Sequence, residues 1–306
     1  QYTTEIQYDK ASRKVWMSDP DLGIWSYDYD GAGNLACQKD AKNNSIKLVY
    51  DKLNRLAGKD NLGAATCTHE TTEITNFTGY DIQFHYDGEA FTYLNTPYSG
   101  ETGVLGMRTG MVDPSGITQW SYDWRGRKTH ESRTVIDQVD NNRNLGTYHT
   151  YWSYNPDDSV RQIVYPNQET VNYTYHPGGA FDQAFSVQDG TENSKYYVQA
   201  TGYDVDGRVV TRTLGENLLN SSYTYTPWNQ AVQGGRLGRL LTQKIGSSNV
   251  FQDLNYTYDP VGNIIGIQNN ANAAFSYNLA FQYDKLNRLA LTSGAYDDNP
   301  VSSLAT

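Results

Sequence analysis

Acidic pairs one residue apart recur along the chain, at Asp19/Asp21, Asp28/Asp30 and Asp204/Asp206. Carboxylates so spaced could share a calcium ion, or serve as the acid and base of a glycoside hydrolase. A calcium loop of the EF-hand kind needs more oxygen ligands and a terminal glutamate at fixed spacing, which these stretches lack. Asp30, Asp51, Asp123, Asp204, Asp259 and Asp284 also hold one position of a recurring motif. A carboxylate repeated in every copy reads as a turn cap, whereas an active site needs an exception to the repeat. The histidines are His69, His85, His130, His149 and His176, with no HExxH spacing and no serine or cysteine signature beside them. On strands such residues are ordinary sheet positions more often than acid–base groups. Cys37 and Cys67 are too few for a zinc site. A disulfide between them requires an oxidising compartment, and unpaired thiols are the commoner state of scattered cysteines. No catalytic residue, cofactor or metal site is expected.

The elements that carry these residues announce themselves by repetition. The octapeptide YDKLNRLA stands at residues 50–57 and again at 283–290. Looser copies begin at Tyr29, Tyr122, Tyr203 and Tyr258, and weaker ones at Tyr8, Tyr86, Tyr154, Tyr175 and Tyr225. The consensus is Y-D-x-x-G/N-R/N-apolar, in a unit of about twenty residues with insertions. The strong copies are Tyr29-Asp30 with Gly33, Tyr50-Asp51 with Asn54, and Tyr122-Asp123 with Gly126. Tyr203-Asp204 with Gly207, Tyr258-Asp259 with Gly262 and Tyr283-Asp284 with Asn287 complete the set.

Each position has a physical task. The residues before the tyrosine alternate with period two, as in Asn255-Tyr256-Thr257-Tyr258, which predicts a strand. The aspartate accepts N–H bonds from residues just ahead of it and opens a turn. Glycine or asparagine at the fifth position tolerates positive φ. An apolar residue then starts the return strand. One hairpin is barely stable alone, so the copies must stack, with tyrosine rings packing row upon row. The best helical candidate, Tyr50–Gly58, contains this turn signature. Asp137–Gly146 and Gln188–Ser194 are polar and are expected as loops. The fold class is therefore all-β: an array of repeated β-hairpins forming a long twisted strip, continuous over residues 1–306.

Composition agrees, with 26 Tyr and 27 Gly among 306 residues. The net charge of −10 argues against nucleic acid as a partner. No stretch reaches the roughly 18 apolar residues of a membrane-spanning helix, and a soluble β-protein is expected. Sequons occur at Asn43, Asn76, Asn172, Asn220 and Asn255, but strand alternation before tyrosine yields Asn172-Tyr173-Thr174 and Asn255-Tyr256-Thr257 unaided.

These motifs resemble those of the YD-repeat, or Rhs-repeat, family across nearly the whole chain. The stretch Trp16-Met17-Ser18-Asp19-Pro20-Asp21-Leu22-Gly23-Ile24-Trp25 is similar to the segment that precedes such repeats in toxin-complex-like Rhs proteins. The family includes bacterial Rhs toxins, the B/C cocoon of insecticidal toxin complexes, and teneurins. The resemblance implies a β-strip spiralling into a hollow shell that, in the bacterial toxins, encloses a toxic C-terminal segment. The family's aspartyl-protease-like core has no counterpart here, so no catalytic aspartate is carried over.

The function expected is therefore non-catalytic: part of an exported bacterial shell, outside the cell or on its surface, that encloses or presents a toxin cargo. The alternative is an extracellular fibre or adhesin, with exposed Tyr and Trp rows contacting polysaccharide. A carbohydrate-active enzyme is the weakest reading. Starting at Gln1 without an initiator Met, the chain reads as a piece of a longer protein. Residues 1–8 and 291–306 show no capping helix and no cluster of edge lysines. Expected partners are the remainder of that longer chain, or further copies of this one.

Overall fold

A computed structural model describes residues 3–67, 80–94, 96–98, 104–137, 139–140, 143–175, 184–190, 195–230, 232, 234–271, 276–296 and 299–301. Every regular element among them is a β-strand. The chain divides into two compact units, Gln1–Trp152 and Ser153–Thr306.

The first unit opens with β1 (Glu5–Tyr8), β2 (Lys14–Asp19), β3 (Gly23–Tyr29), β4 (Leu35–Lys39), β5 (Ser45–Tyr50), β6 (Leu56–Gly63) and β7 (Ile82–Tyr86). A short ribbon follows, β8 (Phe91–Tyr93) paired with β9 (Thr96–Tyr98). Then come β10 (Arg108–Asp113), β11 (Gly116–Tyr122), β12 (Lys128–Asp137) and β13 (Arg143–Tyr154). Strands β1 to β7 pair antiparallel in sequence order, as do β10 to β13, and β7 pairs with β10 across the ribbon.

The second unit repeats the plan. It holds β14 (Val160–Val164), β15 (Thr170–Tyr175), β16 (Ala184–Asp189), β17 (Tyr196–Tyr203), β18 (Val209–Leu214) and β19 (Leu219–Tyr225). It continues with β20 (Leu237–Lys244), β21 (Val250–Tyr258), β22 (Ile264–Asn269), β23 (Tyr277–Tyr283), β24 (Leu289–Tyr296) and β25 (Asn299–Val301). Neighbours in sequence are neighbours in the ladder throughout. This is the all-β strip of hairpins that the repeat predicts.

Because successive side chains of a strand point to opposite faces, deep burial is confined to a few places. In the first unit the apolar core gathers Ala36, Cys37, Val49 and Ala57 on β4 to β6, and Val112 with Ile117 on β10 and β11. In the second, Val171 and Leu254 are buried alongside Thr201, Ser221, Asp253 and Asn269. The polar members are paired: Ser221 bonds Thr242 across strands, and Asp253 binds the Arg239 guanidinium at 2.6 Å and 3.0 Å.

Three expectations need correcting. Cys37 and Cys67 form a disulfide with 5.9 Å between their Cα atoms, tying β4 to the segment after β6. The region 137–146 is not wholly loop: Arg143 to Gly146 open β13, which pairs with Val135 to Asp137 through a register shift. Gln188 and Asp189 likewise end β16, paired to Asn172 and Val171, while 191–194 lie outside the described residues.

Candidate functional site

The motif aspartate builds the turn through its two carboxylate oxygens. Asp51 Oδ1 accepts the N–H groups of Leu53 and Arg55 at 2.8 Å and 2.9 Å, and Oδ2 accepts Arg55 Nε at 2.7 Å. Asp123, Asp204 and Asp284 repeat the pattern with Arg127, Arg208 and Arg288. Asp30 and Asp259 do the same with Asn34 and Asn263. The aspartate carbonyl also accepts the N–H of the residue three ahead, and that residue is left-handed. The φ values are 91° at Gly33, 59° at Asn54, 79° at Gly126, 78° at Gly207, 107° at Gly262 and 60° at Asn287. A type I turn followed by a left-handed residue makes a bulged hairpin, and the pairing shifts register just before each motif tyrosine. Partial burial pushes the Asp51, Asp123, Asp204 and Asp259 carboxyls up. The hydrogen bonds they accept outweigh it, leaving them below the ordinary carboxylate range.

The tyrosine acts on the previous row. Tyr29, Tyr50, Tyr86, Tyr122, Tyr175, Tyr225, Tyr258 and Tyr283 donate their hydroxyls to Lys14, Leu35, Leu56, Arg108, Val160, Val209, Leu237 and Ile264. The distances run from 2.7 Å for Tyr122 to 3.1 Å for Tyr225. Each acceptor is the carbonyl of the first residue in the return strand of the preceding motif hairpin. These tyrosines are half-buried rather than deeply buried. Several rings lie under an arginine of the preceding row: Arg13 covers Tyr29, Arg55 covers Tyr86, Arg208 covers Tyr225 and Arg236 covers Tyr258, at 4.3 Å to 5.5 Å. The row-to-row contact is hydroxyl to carbonyl and guanidinium to ring, where stacked tyrosines were expected.

The sixth motif position carries a role that sequence reasoning missed. It reaches forward to the turn of the next row. Asn34 Nδ2 donates to Asn54 Oδ1, and Asn263 Nδ2 to Asn287 Oδ1, both at 3.0 Å. Arg55 grips both oxygens of Asp87, and Arg208 Nη1 donates to the carbonyl of Gly235. The restriction of this position to Arg or Asn was the available signal, since both carry N–H donors beyond those used in their own turn. Insertions sit inside the turn. Asp87 and Met107 close the Tyr86 turn around β8 and β9, and Thr226 and Arg236 close the Tyr225 turn with Gly235 left-handed. The letters Gly235-Arg236-Leu237 are the displaced end of that motif. Asp40 builds the same turn without a tyrosine, taking N–H groups from Lys42 and Asn44, with the sequon residue Asn43 left-handed.

The other candidates are dispersed. Asp19 caps the turn to β3 through Asp21 and Leu22, and Asp28 accepts the N–H of Tyr29. His85 is buried and stacked on Phe91 with centroids 3.9 Å apart. Its imidazole is held down near pKa 4 by desolvation. His130 and His149 meet across β12 and β13, whereas His69 and His176 lie outside the described residues. Among the described residues no group of three His, Cys, Asp or Glu gathers as a metal site.

This geometry defines a class: a hairpin-repeat β-protein whose rows are clasped by the Tyr, Asp and Arg or Asn of one motif. No family model matches the chain. It is 25% identical over 302 residues to toxin subunit YenC2 of Yersinia entomophaga, covering 86% of this chain and 30% of that protein. Toxin subunit YenC1 of the same organism is 36% identical over 88 residues, 29% of this chain and 9% of that one. The chain thus spans less than a third of the length of these curated relatives. The Photorhabdus luminescens Tc holotoxin pore superposes with a TM-score of 0.69 at 19% identity, over 95% of this chain and 14% of that one. The TcdB2-TccC3-TEV crystal structure gives 0.66 at 18% identity, over 95% and 14%. Repeat signature, fold and relatives agree in likeness: the chain is similar to Tc toxin subunits and shares the fold of the TcB-TcC structures.

Proposed function

We propose that the chain is a wall segment of an exported Rhs/YD shell, a non-catalytic strip that encloses or presents a toxin cargo carried elsewhere in the longer protein. The observation that carries this reading is the likeness over 95% of the chain to Tc holotoxin structures, joined to relatives that are themselves toxin subunits. The clasp supports it physically. The motif aspartates hold their own turns and most motif tyrosines hold a neighbouring row, which suits a wall. Continuity of the array from residue 1 to 306, through both compact units, belongs to the proposal, as does export from the cell.

The test is to express the full open reading frame around these residues and expose its product to a broad-specificity protease. A shell protects a segment outside the repeats until denaturant opens it. Equal cleavage of all segments in native buffer rejects enclosure. Filaments under the electron microscope would establish the fibre reading instead, in which the exposed Trp124 and Trp228 would be the first residues to test against polysaccharide.

A further inference from the structure

His130 on β12 and His149 on β13 belong to one face of the first unit. The register pairs His130 with Tyr151 and Ser132 with His149, so the two histidines are diagonal neighbours across the ladder. His130 Nε2 and His149 Nδ1 stand 3.0 Å apart. The rings are inclined by only 18° with centroids 5.3 Å apart. That combination places them edge to edge, with two nitrogens facing one another along a shared N–H···N bond. Tyr151 stacks on His130 at 4.5 Å and 11°, fixing that ring's plane from below. His149 is exposed and His130 half-exposed, so both are reachable from solvent. Turn capping and row clasping make no use of this pair.

We propose that His130 and His149 form a cross-strand bis-imidazole site for a divalent late transition-metal ion. Metal–imidazole bonds of about 2.0–2.1 Å put two ligand nitrogens about 2.9 Å apart at a right-angled bite and about 3.4 Å apart at a tetrahedral one. The observed separation lies in that range. Binding requires each ring to swing so that the two lone pairs converge on one point. The proton now shared between the facing nitrogens moves, through solvent, to the other nitrogen of its own ring. Both imidazoles then coordinate as neutral ligands and no net charge is lost. Ser121 on β11 stands opposite His130 in the ladder. Two protein ligands leave the remaining positions to water, which makes the site open and exchangeable. The ligand type suits copper, nickel and zinc, with Cu(II) bound most tightly in the usual order of the divalent ions. Because its ligands come from two strands, the ion acts as a clip between β12 and β13.

The experiment titrates the 306-residue chain with Cu(II) alone, followed by calorimetry and by the nitrogen hyperfine structure of its electron paramagnetic resonance. The variants are His130→Gln and His149→Gln, each checked for native circular dichroism. The expected result is one saturable site per chain showing two equivalent imidazole nitrogens, weakened at least tenfold by either substitution. Cu(II) should also raise the thermal midpoint of the parent chain and leave that of each variant unmoved. Binding equal in parent and variants would assign the metal to other groups and overturn the proposal. So would the lack of any saturable Cu(II) site on the parent chain.

Discussion

At the residue scale, the phenol hydroxyl of the motif tyrosine adds a side-chain contact between hairpins whose strands already pair through the backbone. Its acceptor is a main-chain carbonyl, so the previous row can change its side chain there without losing the bond. Tyr50→Phe deletes the 3.0 Å bond to Leu35 while keeping the ring, and should cost about 1 kcal/mol in urea unfolding. Tyr50→Ala removes the ring as well and should cost roughly 3 kcal/mol. Equal losses for the two would mean that the hydroxyl alone carries the contact. His85 makes a second prediction. Burial lowers its folded-state pKa to about 4, and among the described residues its Nε2 finds no hydrogen-bond partner. Unfolded, it takes a proton near 6.5. Between those values the unfolded chain binds more protons, so the stability linked to His85 is complete above about pH 6.5 and is lost as pH falls through about 4. His85→Phe, stacked likewise on Phe91, should remove that component. Parent and variant would then converge in stability as the pH rises from 4.5 to 7.5. Parallel profiles would show that His85 does not titrate on unfolding.

At the element scale the unit is the bulged hairpin, and its left-handed residue is where the backbone sets the residue type. Gly126 has φ of 79°, and a Cβ there would also meet Met107 Cε at 2.4 Å. Gly126→Val should therefore lose 1 kcal/mol or more, whereas Gly31→Ala, with open space and no positive φ, should be neutral or slightly stabilising. A thermal melt of the two variants checks both directions. The hairpins were legible because the Asp, the Gly or Asn and the Arg or Asn of the motif all act on their own turn, so the sequence displays cause and effect within a few residues. The same locality hid the rest. The forward reach of Arg55 to Asp87 spans 32 residues and leaves no spacing rule, because insertions vary the distance between rows. The Tyr225 copy read only as a weak one for the same reason, its Gly235 and Arg236 being pushed out of register by the intervening loop. Cys37 and Cys67 lie in no shared pattern, and only the course of β4 to β6 brings them together. Closing a loop of 30 residues restricts the unfolded chain by about 3–4 kcal/mol in the chain-entropy treatment. Reduction should lower the melting temperature accordingly, and Cys37→Ser/Cys67→Ser should melt at the reduced value whether or not reductant is present.

At the scale of the whole molecule, the first and last strands present different edges, and the physics of an edge decides how it associates. All four residues of β1 are exposed, and among the described residues β1 pairs with β2 alone. In the second unit β25 pairs with β24 through Gly294, Ala295 and Tyr296, and it carries Pro300, which has no N–H to offer. The two edges are therefore unequal. The β1 edge has a full set of backbone donors and acceptors, contains no lysine or proline, and exposes Ile6 and Tyr8 beside them. An exposed strand edge of this kind offers its backbone groups to a further strand. The prediction is that the isolated 306-residue chain associates in a concentration-dependent way, seen as a mass that rises across a dilution series in light scattering. Ile6→Lys, which places a charge on the outer strand without touching the clasps, should shift that association to higher concentration and leave the thermal midpoint of the dilute chain unchanged. A chain that stays monomeric at every concentration would show the β1 edge to be covered, and association indifferent to Ile6→Lys would place the contact elsewhere on the strip.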